Sequence, residues 1–143
     1  MFPQDRKKLR AFYFSAWEKY RQKIPMEPLE IQITDVIAMH PEYHGIVENP
    51  DPGEQDFPVD DGRTNPFLHM GLHLAIREQL TTDRPAGFAQ LYQQITRKAG
   101  DPHQAEHQIM EHLAESLWLS QRQGLPPDEA AYLEQLRRLA GNA

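Results

Sequence analysis

Three histidine pairs in this chain share one spacing. His40 and His44, His69 and His73, and His103 and His107 are each four residues apart, and the chain holds seven histidines in 143 residues. Random scatter would supply roughly a third of one such pair. On a helix, residues four apart stand one turn above the other with Cβ atoms about 5–6 Å apart. Two imidazoles so placed can reach one ion, at about 2.0–2.1 Å if it is zinc. His69, His73 and His107 border apolar stripes and His44 follows one, so four imidazoles could converge. Glu111, one turn after His107, could add a carboxylate. The candidate metal ligands are therefore His44, His69, His73, His107 and Glu111. His112 lies about 140° round the helix from His107 and is read as exposed. His103 opens its helix, and neither it nor His112 is taken as a ligand.

A histidine-dominated site without thiolate suits zinc, iron, nickel or copper, whereas manganese prefers more carboxylate. A divalent transition metal, zinc or iron first, is the cofactor these residues suggest. Three histidines with one open position could activate water, with Glu42 or Glu111 as general base. Four histidines with no vacancy would be structural. A plainer reading stands beside these: histidines near apolar faces are often satisfied rim residues, here bonded to Glu42, Glu111 or Glu115 and fixing helix register.

The elements that must position these residues read as helices. Asn65–Gln79, NPFLHMGLHLAIREQ, begins with an N-cap and a proline at the first helical position. Its stripe of Leu68, Leu72, Ile76 and Leu80 demands a buried face. Upstream, residues 4–24 carry Leu9, Phe12, Trp17 and Tyr20 near helical spacing, with Phe14 and Tyr13 broadening the apolar face, and residues 28–39 turn Leu29, Ile33, Val36 and Ile37 inward. That second segment is rich in β-branched residues, but its apolar positions do not alternate, so helix is preferred to strand. Residues 48–62 turn to proline, glycine and acidic side chains and read as a long acidic loop. Asp60-Asp61-Gly62 lacks the alternating ligands of a calcium loop.

Downstream, Pro85 opens a helix to about Ala99, with Phe88, Leu91, Tyr92 and Ile95 inside and Gly100 as its cap. Asp101-Pro102 repeats the device of Asn65-Pro66 and launches a helix to about Gln123, with Met110, Leu113, Ala114, Leu117 and Trp118 inward. Pro126 starts a last helix through Tyr132, Leu133, Leu136 and Leu139. The expectation is a single-domain, all-α bundle of five to six helices over residues 1–143.

Composition narrows the function classes. A net charge of −6 leaves no broad basic face for nucleic acid or an anionic membrane. Without cysteine, disulfides, thiolate nucleophiles and thiolate-bound metals are excluded. No apolar run approaches a membrane span, and no apolar segment follows the N-terminal charges, so a cytoplasmic location is expected.

NPFLHMGLHLAIREQ, the upstream HPEYH, and EHQIMEHLAESLW followed by Gln121-Arg122 together resemble a proteobacterial family of small cytoplasmic proteins, domain of unknown function 1841. The likeness covers nearly the whole chain and implies no assigned catalytic residue. A looser likeness is to the DinB-like helical bundles, whose metal is held by three histidines, two of them on one helix. His69 and His73 with His44 or His107 would mimic that composition, although the order along the chain differs.

Two functions from different classes follow. One is a histidine-rich metal-binding bundle, with metal-dependent hydrolysis or group transfer as its chemistry. The alternative is a non-catalytic adaptor with structural histidines, which binds a protein partner through its acidic loop or a helical face.

Overall fold

The computed structural model describes residues 3–48 and 65–141, with side chains from residue 8 onward. The acidic-loop reading of residues 48–62 lies outside the described residues except for Glu48. The protein is all-α, and no strand occurs among the described residues. Among the described residues seven α-helices and one 3-10 turn follow in order: α1 (Pro3–Gln22), α2 (Pro28–Ala38), the 3-10 turn (Pro41–Tyr43), α3 (His44–Val47), α4 (Pro66–Thr82), α5 (Phe88–Ala99), α6 (Pro102–Gln123) and α7 (Glu129–Leu139). None of them is long and apolar enough to cross a membrane.

Local chemistry explains where these helices begin and end. The Asn65 side chain accepts from the Phe67 and Leu68 amides at 3.0 and 3.3 Å, so α4 starts where its cap predicts. Asp101 accepts from Gln104 N at 2.9 Å and Asp128 from Ala131 N at 3.0 Å, launching α6 and α7 in the same way. Gly100 ends α5 at φ 101°, a left-handed conformation that a side chain would strain. The start of α5 corrects the expectation. Asp83, not Pro85, organises it, accepting from Gly87 N and Ala89 N at 3.3 and 2.9 Å, so the helix opens at Phe88.

The chain divides into two compact units, Met1–Leu74 and Ala75–Ala143, and α4 crosses the division. In the first unit, α1 packs on α2 and α3. Its core joins Tyr13, Ala16 and Trp17 to Ile33, Val36, Ile37, Val47, Phe67 and Met70. Phe67 meets Tyr13 and Phe14 edge-on at ring separations of 5.5 and 6.1 Å. In the second unit, α5, α6 and α7 pack on one another, burying Phe88, Tyr92, Ile95, Ile109, Tyr132 and Leu136.

Four inner faces differ from those expected, and on α2 the difference is that Leu29 is exposed. On α1, Trp17 is buried as expected, together with Arg10, Tyr13 and Ala16, while Leu9, Phe12 and Tyr20 are exposed. On α4, Phe67, Met70, His73 and Ile76 are buried and Leu68 is exposed. The segment carries two interleaved stripes, and the one bearing Phe67 wins because that ring completes the aromatic cluster with Tyr13 and Phe14. On α6, Met110 and Leu113 are buried but Ala114, Leu117 and Trp118 are exposed. There α7 returns against the opposite side, where His112 Nδ1 donates to Gln135 Oε1 at 3.0 Å. Trp118 lies about 240° round the helix from His112 and is covered by the Arg122 guanidinium, 5.0 Å from its ring. His112 is accordingly half-buried, not exposed as expected.

Candidate metal centre

The first unit brings three imidazoles together. His69 and His73 lie one turn apart on α4, and His40 occupies the corner between α2 and the 3-10 turn. Pro41 bars helical geometry at His40, whose backbone breaks to φ −127°, ψ 72°. That break turns the ring back along its own helix, where Nδ1 lies 2.8 Å from the Val36 carbonyl oxygen. A carbonyl only accepts, so Nδ1 carries the proton, and the neutral ring presents its lone pair at Nε2. A ligating histidine is commonly oriented by this kind of second bond.

The ring centroids form a near-equilateral triangle. His40 stands 5.0 Å from His69 and 4.8 Å from His73, and His69 stands 4.9 Å from His73. His40 and His73 are fully buried and His69 is half-buried. The Nε2 atoms of His69 and His73 are 3.2 Å apart. Two nitrogens bound to one tetrahedral zinc at about 2.05 Å would be separated by about 3.3 Å. His40 and His73 also offer ring nitrogens within 4.8 Å of each other, close enough to share an ion. Tyr43 walls the site: its ring stacks on His40 at 5.2 Å and meets His69 edge-on at 6.0 Å. Burial pushes the Tyr43 hydroxyl pKa up, and the Glu42 carboxylate adds to the rise.

The second unit holds another imidazole pair. His103 and His107, both half-buried on the first turns of α6, place their Nε2 atoms 3.0 Å apart. Between them in sequence, Glu106 is buried to 1% exposure. Its Oε2 accepts from the Tyr92 hydroxyl at 2.6 Å and its Oε1 from Arg77 Nε at 3.3 Å. Burial, reinforced by the bond to Glu106, drives the Tyr92 hydroxyl far above its ordinary pKa.

Of the residues expected to bind metal, His69 and His73 stand together, and they are joined by His40. His107 pairs with His103, which the reading of the sequence had set aside. His44 is placed otherwise: its Nε2 donates to the Ile37 carbonyl at 2.9 Å and its ring packs on Trp17 at 4.7 Å. Trp17 in turn donates from Nε1 to Glu48 at 3.0 Å. Glu111 and Glu42 are exposed, on α6 and the 3-10 turn respectively. His40, which precedes Pro41, was not among the expected ligands. That same proline produces the corner that aims its ring.

Fold and site together define an all-α protein whose first unit gathers three histidine rings, His40, His69 and His73. The chain belongs to the family described as Domain of unknown function (DUF1841), whose model matches residues 5–138. No curated protein and no solved structure matches it.

Proposed function

We propose that this protein binds divalent transition metal, zinc or iron, through imidazoles: His40, His69 and His73 are the donors in the first unit, and His103 and His107 are a donor pair of their own in the second. The observation that carries this reading is the triangle of three rings 4.8–5.0 Å apart, two of them fully buried. Polar ring nitrogens taken out of water are costly unless they are answered, and a shared metal ion is one way to answer them. The chain has no cysteine, and among the described residues the three rings form a cluster of imidazoles alone, which favours a borderline metal over calcium, magnesium or manganese. A three-imidazole zinc site with an open position lowers the pKa of its bound water to about 7. Hydrolysis or group transfer is the chemistry that such a centre supports.

The test is elemental analysis of untagged protein purified without chelator or a metal column. About one equivalent of zinc or iron, lost in His73→Ala, is the expected result. Metal-free protein whose melting temperature is indifferent to added zinc, iron, nickel and copper would overturn the reading. An adaptor role is the second reading. The exposure of Leu117, Trp118 and Leu125 on and just after α6 favours it, since large apolar side chains clustered on a surface often mark a partner's footprint.

A further inference from the structure

We infer that Glu106 is a positioning residue for the His103–His107 donor pair, a role that rests on the metal-binding reading above. A carboxylate removed from water is tolerated only when its charge and lone pairs are answered. Glu106, at 1% exposure, is answered from two directions, by the Tyr92 hydroxyl of α5 on Oε2 and by Arg77 Nε of α4 on Oε1. One side chain thus ties α6 to two other helices through two different oxygens. Such a two-point attachment fixes both the rotation of α6 about its axis and its slide along it.

What that rotation controls is the histidine pair. At about 100° per residue, Glu106 falls about 60° to one side of His103 and His107 about 40° to the other. All three share an arc of about 100° on α6, so the orientation that seats the carboxylate also sets where both imidazoles point. The rings stand with Nε2 atoms 3.0 Å apart and centroids 4.3 Å apart. A chelating pair needs its nitrogens held to within about 0.5 Å, and that precision comes from the groups supporting the ligands. The negative charge next to His107 also favours a cation nearby, although Arg77 offsets part of it.

The experiment is a zinc and cobalt(II) titration of the full chain in competition with a chromophoric chelator, at a temperature where far-ultraviolet circular dichroism shows each variant folded. Glu106→Gln should bind metal more weakly, by up to about tenfold, the lower end of the cost of losing a group bonded directly to a ligand. Its cobalt(II) visible spectrum should change in position or intensity, a signature that loss of packing alone would not produce. Tyr92→Phe, which deletes one oxygen and keeps the ring, should shift affinity the same way by a smaller factor. A folded Glu106→Gln with wild-type affinity and spectrum overturns the role. If Glu106→Gln does not fold, Tyr92→Phe decides alone, and wild-type affinity there overturns it. The double variant His103→Ala/His107→Ala separates the two levels: wild-type affinity in it refutes metal binding by the pair itself, and the role of Glu106 falls with it.

Discussion

His69 Nε2 lies 3.2 Å from His73 Nε2, one turn along α4. Two neutral imidazoles at that distance can share one proton, and two bare nitrogens can share one ion; two fully protonated rings would repel. On the metal-binding proposal, a single ion lies between them. Added zinc should raise the melting temperature of the metal-free protein, by the equivalent of about 2.7 kcal/mol at a free concentration 100 times the dissociation constant. His73→Ala should abolish that shift. A calorimetric scan with and without zinc reads it, and an undiminished shift in the variant would remove His73 from the ligand set.

His40 and His44 share a spacing but not a role. His40 places its ring 4.8 Å from His73, whereas His44 donates to the Ile37 carbonyl and leans on Trp17. His40→Ala should lower metal content. His44→Ala should leave it unchanged, while costing about 1 kcal/mol for the lost hydrogen bond and altering Trp17 fluorescence. Elemental analysis and a urea melt of both variants test the contrast; equal metal loss in the two would erase it.

The helices were legible because their punctuation is chemical and local. Asn65-Pro66, Asp101-Pro102 and Gly100 each act within a turn of their own position, and the structure places helix ends there. The inner faces were less legible. α4 offers both a leucine stripe and one through Phe67 and Met70, and only the partners of Phe67 on α1 choose between them. The site divides along the same line. Four-residue spacing on a continuous helix identified His69 and His73, but His40 depends on a backbone break at Pro41 and on a carbonyl four residues back. Glu106 was invisible because its partners, Arg77 and Tyr92, are 29 and 14 residues away in sequence.

Asp101 caps α6 two residues before His103, so helix stability and ligand order are coupled at that end. Its carboxylate accepts from Gln104 N at 2.9 Å. Asp101→Ala should cost about 1 kcal/mol and fray the turn that carries His103. Amide hydrogen exchange should quicken over residues 102–106 before it does at Ile109, which is fully buried. Unaltered exchange in that first turn would show that packing, not the cap, holds it.

Acid should loosen the first unit through Glu30. Its carboxylate accepts from Lys19 Nζ at 2.8 Å and from Glu27 N at 2.8 Å, joining α1 to the start of α2. The Lys19 bond, then the Glu27 amide, hold the Glu30 pKa below the ordinary glutamate value. A carboxylate whose pKa is lower folded than unfolded stabilises the fold above its unfolded pKa, about 4.3. That contribution is lost as pH falls through the folded value, because the unfolded chain then binds the proton more readily. Melting temperatures of the wild type should therefore drop more steeply below about pH 4.3 than those of Glu30→Gln. The variant should start lower at pH 7 and converge on the wild type in acid. Parallel curves from pH 7 down to pH 3 would show that Lys19 and Glu30 touch without contributing to stability.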